Sequence, residues 1–479
     1  DNNGLITTTF SEPRSRRFHA GIDIRTFGKI GENVYAIDSG YISRIKIQPN
    51  NYGKAIYLIL DDRNVVLYSH LSKFNPQIEK FVSFLHNKYQ SSFFDHTLTK
   101  EEIIELSKGE IIGYSGDTGS LSGPHIHFEI RNKNGEPINP LIKYYHIRDS
   151  VFPIAKTITF IPLGNKSWIN GIQDYKNFKL QKISSNKYVL KDTIATLGEF
   201  GIALETYDNI DNLPFKFGVY SIELFIDNIL KYSIRFDKYN FKEDPLIYTE
   251  VDYLLLNEGN LSHRLFNNSP KQLSFIKTEG NGIIRVDGNF HNFIIKISDA
   301  NSNITEIQGV ISGQMIQNQD INFYKDLHGK YIIETNNPTD NIYFNLQSKY
   351  HDVEKSISKI EIFDDNKLVI KNFEENFDIL EYYIHNPDGI QSRKSYLTLS
   401  KLKAYDIKGR FNIKHIDKGL IVEFEENVFS GYNPILNILS DEGSTSYELY
   451  RKGKNLLSSK IINLKDIKTI SLIYDSNPE

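Results

Sequence analysis

Gly113-Tyr-Ser-Gly-Asp-Thr-Gly-Ser-Leu-Ser-Gly-Pro-His125-Ile-His127-Phe-Glu-Ile-Arg131 is the stretch on which the reading of this chain turns. A glycine-rich loop runs into a segment that reads as a strand. Side chains on a strand alternate between faces, so His125 and His127 share one surface while Ile126 and Phe128 point the other way. Neutral imidazole is the commonest protein metal ligand, and a histidine pair on one face reads first as a metal site or an acid–base site. An accidental pair on a structural strand is the alternative, and the rest of the chain has to decide between them.

Upstream, Phe18-His-Ala-Gly-Ile-Asp-Ile24 places His19, Gly21 and Asp23 on one face if the segment is extended. Gly21, lacking a side chain, is expected to leave room for an ion or a substrate backbone. An edge strand with a solvated polar face is the plainer reading of those residues. Val34 to Ile45 and Lys54 to Leu60 read as strands, and Asp61-Asp-Arg-Asn64 turns the latter into Val65-Val-Leu-Tyr-Ser-His70, a hairpin with His70 at its end. The segment 75–108 differs. Ile78, Phe81, Val82 and Leu85 carry the spacing of an amphipathic helix, and Thr97 to Leu106 reads as a second, short one. A helical insertion in a β domain is expected there, with His86 and His96 on its surface, and it follows His70 closely enough to act as a lid.

Composition bounds the remainder. A chain of 479 residues exceeds what one core sustains and is expected to hold about three domains. The 29 Tyr and 30 Phe, with many Ile, Val and Thr, favour strands. A net charge of −4, with the two signs interspersed, offers no footprint for nucleic acid or an anionic membrane. With 0 Cys there is neither a disulfide nor a thiolate site, so any metal uses His, Asp or Glu. No apolar run is long enough to span a bilayer. The chain opens at Asp1 rather than Met, which fits a processed signal peptide or lipidated leader.

Taken together, Phe18-His-Ala-Gly-Ile-Asp-Ile24, Asn33-Val-Tyr-Ala-Ile-Asp-Ser-Gly40, Tyr68-Ser-His-Leu71, Gly109-Glu-Ile-Ile-Gly-Tyr-Ser-Gly-Asp-Thr-Gly119, Gly123-Pro-His-Ile-His-Phe-Glu-Ile130 and Glu136-Pro-Ile-Asn-Pro140 resemble the lysostaphin-type (LytM-type) zinc metallopeptidase family. The match in order and spacing covers residues 5 to 145 apart from the insertion. The resemblance implies an antiparallel β-sheet domain with a groove that binds Zn2+ through His19, Asp23 and His127. His70 and His125 match the family's two non-ligand histidines, which face the zinc water and the scissile carbonyl. The loop Gly116 to Gly123 is expected to form one wall of the groove. The facial triad of non-haem iron oxygenases also uses two His and one carboxylate, but requires neither His70 nor His125 nor the flanking words.

Beyond Pro140 the pattern stays strand-like and the motifs stop. Thr157 to Pro162, Phe200 to Thr206, a hairpin turning at Asp227-Asn228, Gly282 to Val286 and Asn292 to Ile297 argue for an immunoglobulin-like β-sandwich. Asp299, Asn301 and Asn303 read as a plain turn in preference to a calcium loop. The expected fold is therefore mainly β. A peptidase domain occupies 1–149, a sandwich 150–316, a second β domain 321–402 after a polar linker at 317–320, and 403–479 forms a third or continues the second. The function expected is an exported zinc endopeptidase of the periplasm or cell envelope that hydrolyses peptide stems or crosslinks of peptidoglycan. A catalytically silent scaffold or hydrolase-activating binding module is the alternative. The aromatics of the tail are read as core before they are read as a surface for an envelope protein or a glycan. Seven further histidines from His146 to His415 show no ligand spacing, Trp168 stands alone, and no function is assigned to any of them.

Overall fold

The computed structural model of the protein describes residues 5–474 except 120–122, 165, 279, 315–318, 336–341, 350–353, 357–360, 365–366, 371–376, 386–389, 404–405, 417–418 and 465. The middle of the glycine-rich loop and half of the 317–320 segment lie outside the described residues. The fold is mainly β. In the N-terminal domain the principal strands are β1 (Leu5–Thr8), β2 (Ile22–Arg25), β3 (Gly40–Ile47), β4 (Lys54–Leu60), β5 (Val65–Ser69), β6 (Phe94–Thr97), β7 (Ile104–Leu106) and β8 (His125–Arg131). They form one antiparallel sheet in the order β1-β2-β8-β5-β4-β3-β6, with β7 also on β3. The β4–β5 hairpin turns where the polar tetrad 61–64 stands.

Register explains why the histidine strand lies where it does. His127 pairs with Asp23 on one side and with Ser69, the residue before His70, on the other. Central β8 thus draws candidate groups from β2 and β5 towards itself, while Ile126, Phe128 and Ile130 enter the core with Ile22, Val66 and Tyr68. Residues 19–21 are not a strand but a bend between Arg17–Phe18 and β2. The expected room at Gly21 is taken by the protein's own backbone, because a Cβ there would lie 2.2 Å from the Phe128 carbonyl oxygen. Gly21 serves the packing of this bend on β8.

The insertion is half helical. α1 (Pro76–Tyr89) forms as its spacing predicts, capped by the Asn75 side chain on the Ile78 amide, with Ile78, Val82 and Leu85 buried. The second helix does not form. Residues 94–97 and 104–106 pair with β3, and their alternating burial outweighs the weak helical pattern of 97–106. His96 is buried, not superficial, and its ring bonds Tyr89 and Glu102. β6 ends the sheet four strands from β8, so the insertion extends the sheet edge and does not cover the histidine strand.

Residues 154–312 build two sheets around one core. The smaller contains Ile154–Pro162 and Phe200–Tyr207, and the larger contains Ser221–Ile226, Ile229–Arg235, Phe290–Ser298 and Ile304–Ser312. The hairpin at Asp227-Asn228 has both residues at positive φ, 49° and 65°, as a two-residue primed turn needs. The expected strand at 282–286 is instead a short turn from which Ile284 bridges to Phe200. Phe10, Phe18 and Ala20 belong to this second core, and Ile210 and Phe217 to the first. Strands recur through the tail around two further clusters, one with Ile333 and Leu346, the other with Val422 and Leu436.

Candidate functional site

Five polar side chains from four segments meet in a groove of about 850 Å³. His19 sits on the bend before β2, Asp23 on β2, His70 just past β5, and His125 and His127 on β8. His19 Nε2 lies 3.1 Å from Asp23 Oδ1 and 3.1 Å from His127 Nδ1, and the last two atoms are 3.0 Å apart. Three donor atoms thus form a nearly equilateral triangle.

Hydrogen bonding on the far side of each ring sets its tautomer. His19 Nδ1 donates to the Thr9 carbonyl at 2.8 Å, so its Nε2 carries the lone pair. His127 Nε2 donates to Glu129 Oε2 at 3.2 Å, which leaves Nδ1 unprotonated and aimed at the triangle. The outer oxygen of Asp23 accepts from Thr8 Oγ1 at 2.6 Å. Three lone pairs therefore converge within one hydrogen-bond length, an arrangement that calls for a cation at its centre. In a metal-free site a proton takes that place. Burial works against a charged His127, but its bonds to Asp23 and Glu129 prevail and raise the imidazole from its ordinary 6.5 to about 9. Asp23 is desolvated too, yet its bonds to His127 and His19 hold its carboxyl far below the usual range. Ligand atoms about 2.0–2.1 Å from one tetrahedral zinc stand roughly 3.3 Å apart, so this nitrogen, nitrogen and oxygen set fits such an ion with little adjustment.

His70 and His125 lie side by side next to the triangle, with ring centroids 4.5 Å apart and their planes tilted by 42°. His70 Nδ1 donates to the Thr118 carbonyl at 2.9 Å and His125 Nδ1 to the Gly123 carbonyl at 2.7 Å. Each ring is left with its lone pair at Nε2. His70 has φ 62°, costly for a residue with a β-carbon, and its amide bond to the Tyr52 carbonyl holds it there. Burial, aided by the neighbouring imidazoles His125 and His127 and opposed by the Thr118 carbonyl, lowers His70 from 6.5 to about 4. The ring is a neutral base at physiological pH.

A supporting layer escaped the sequence reading. Glu129 is fully buried and is held by Arg131 Nε at 2.5 Å and by Tyr52 Oη at 3.0 Å, so the orientation of His127 is fixed through a carboxylate, a guanidinium and a phenol. Its signal was available, since His125, His127, Glu129 and Arg131 alternate along one face of β8. The glycine-rich loop before β8 is pinned at Gly119 by close backbone contact, where a Cβ would meet the Gly53 amide nitrogen at 2.3 Å. Arg14, Arg17, Arg25 and Lys46 line the groove, together with Phe241 and Asp244 of the second unit.

Residues 75–140 match the profile of peptidase family M23. Over 125 residues the chain is 33% identical to the DD-carboxypeptidase/endopeptidase Mpg of Neisseria meningitidis serogroup B, a match covering 26% of this chain and 22% of that protein. Lysostaphin of Staphylococcus staphylolyticus is 32% identical over 114 residues, 23% of this chain and 18% of its own length. The matched region thus spans about a fifth of these curated relatives. Among solved structures, the catalytic domain of lysostaphin from Staphylococcus simulans aligns at 25% identity and a TM-score of 0.22, over 29% of this chain and 91% of that one. A zinc-containing peptidase from Vibrio cholerae aligns at 24% identity and a TM-score of 0.22, over 29% and 36%. Carried by the profile match and the identity to the curated relatives, the N-terminal domain of this chain belongs to the lysostaphin-type (LytM-type) peptidase family.

Proposed function

We propose that the chain is an exported, zinc-dependent endopeptidase that hydrolyses peptide stems or crosslinks of bacterial peptidoglycan in the periplasm or cell envelope. In this reading the domain 1–149 carries the chemistry and the β units 150–316, 321–402 and 403–479 position it. The observation that carries the proposal is the convergence of three lone pairs, from His19, Asp23 and His127, beside the adjacent imidazoles of His70 and His125 in one groove.

His19, Asp23 and His127 hold the metal. Zinc, when bound there, supplies a Lewis acid for the peptide carbonyl and brings the pKa of a water to about 7. Thr9 and Glu129 keep the two ligand imidazoles in the tautomers that leave their metal-facing nitrogens free. His70 and His125 present Nε2 to the same space. One takes the proton of the attacking water, and the other steadies the developing oxyanion or passes a proton to the leaving amine. Four cationic side chains along the groove suit a substrate that carries free carboxylates, as peptidoglycan stems do.

Digestion of purified sacculi by the zinc-loaded full chain, followed by mass analysis of released muropeptides, tests the proposal. The expected result is cleavage products that vanish with His19→Ala or His127→Ala. Identical release, or none, from wild type and both variants would end it.

A further inference from the structure

Away from the groove, three carboxylates meet where the N-terminal domain joins the second unit. Asp149 lies in the connection after the short helix Pro140–Lys143, Asp208 follows Phe200–Tyr207 directly, and Asp299 opens the turn between Phe290–Ser298 and Ile304–Ser312. One oxygen from each lies within 4.8 Å of the others. They wall a cavity of about 20 Å³, with Thr9, Asn139 and Tyr220 among its other linings, which is room for a single water-sized particle.

The independent sign of a ligand comes from Asp208. Its side chain is 3% exposed, and among the described residues its Oδ1 has no hydrogen-bond partner. A buried carboxylate oxygen left unmatched costs more than almost any other polar defect. The charges it feels are those of Asp299 and Asp149, both of its own sign. Its two neighbours are oriented but not neutralised. Asp299 Oδ1 accepts from the amides of Asn301 and Asn303 at 2.9 and 2.8 Å, and Asp149 Oδ1 from those of Val151 and Asp211 at 3.0 and 3.1 Å. Among the described residues no ion pair reaches any of the three carboxylates, so backbone donors fix them around an ion-sized cavity whose charge is balanced either by a proton kept on Asp208 or by a bound cation that displaces it.

We propose that this cavity is a calcium site, formed by Asp149, Asp208 and Asp299, which fastens the N-terminal domain to both sheets of the second unit. The donors are all carboxylate oxygens, the choice of a hard cation, whereas zinc prefers nitrogen and sulfur. Calcium tolerates irregular coordination and completes it with water, while magnesium demands a near-ideal octahedron. The three ligands come from the connection and from one strand end in each sheet, so one ion ties together parts that no single stretch of chain unites. Thr9 lines the cavity and its carbonyl holds His19, which puts the site one residue from the groove. The proposal does not depend on the peptidase reading.

The test uses the full chain carrying His127→Ala, so that the groove contributes no tight metal binding. Equilibrium dialysis against about 1 mM calcium, the affinity range of extracellular modules, is expected to leave one calcium per chain and to raise the thermal midpoint. Asp208→Asn is expected to melt no lower than its parent without calcium, because a repelling charge is gone, and to lose the calcium-dependent rise. Asp299→Asn, which keeps its amide contacts, is expected to weaken calcium binding roughly tenfold or more and decides the matter if Asp208→Asn does not fold. No calcium retained at that concentration, or variants that respond as the parent does, would overturn the proposal. An equal rise with magnesium would overturn the choice of calcium.

Discussion

Two clusters of potential ligands stand in one chain and differ in almost every respect. His19, Asp23 and His127 join nitrogen to oxygen, open onto a groove of about 850 Å³ and have two further imidazoles at hand. Asp149, Asp208 and Asp299 are oxygen alone and close around about 20 Å³. A metal that does chemistry needs an accessible position for substrate, whereas one that holds structure is best enclosed. Under the two proposals reaction falls to the first cluster and fastening to the second, and experiments can break that division at several points.

The largest effect is expected from His127→Ala, which removes a proposed ligand at the centre of the sheet. Muropeptide release should fall to background and zinc content with it, as metal analysis and digestion of sacculi will show. Comparable loss on Asp208→Asn would erase the distinction between the clusters. His70→Ala and His125→Ala come next, with kcat lowered by about 10²–10⁴ and zinc still bound, the range for positioned acid–base groups. Zinc lost from either variant would show that these rings belong to the metal site. Glu129→Gln keeps the shape but weakens the acceptor behind His127, and should cost about 10–100-fold in zinc affinity, read by competition with a chelating dye.

The smallest expected effect is on stability. Burial first, then the charges of Asp299 and Asp149, raises Asp208 from 3.8 to about 8 in the calcium-free chain. Between those values the folded protein keeps a proton that the unfolded chain has released, so stability falls as pH rises from about 4 to 8. A melting series without calcium should show this fall, and both saturating calcium and Asp208→Asn should flatten it. A midpoint that instead rises steadily over that range would contradict the enclosed cluster.

The same contrast explains what could be read from the chain. The groove cluster is legible because its members are close in sequence or embedded in distinctive words. His19 and Asp23 are four residues apart, His125 and His127 two, and strand alternation converts the second spacing directly into a shared face. Asp149, Asp208 and Asp299 come from three separate connections, each an ordinary turn by itself, and only sheet topology brings them together. Asp299 was noticed but sought its partners at 301 and 303, where the structure finds amides that orient it. Alternation also holds the clue to Glu129, which stands two residues beyond His127 on the same face of β8. Local pattern failed at 97–106 because pairing to β3 outweighed a short helical period, and at Gly21 because space for a glycine is claimed by whichever backbone lies nearest.

Phe18, the residue before His19, is 2% exposed and lies in the core of the second unit together with Phe10 and Ala20. Heat or proteolysis that opens that unit withdraws the packing on both sides of His19, so unfolding of the sandwich and loss of a metal ligand become one cooperative event. Calorimetry of the full chain paired with activity assays should therefore record no unfolding of the second unit that leaves the proposed peptidase activity behind. Such coupling would make the proposed activity a report on the integrity of the second unit: a molecule whose sandwich has opened would be silenced along with it.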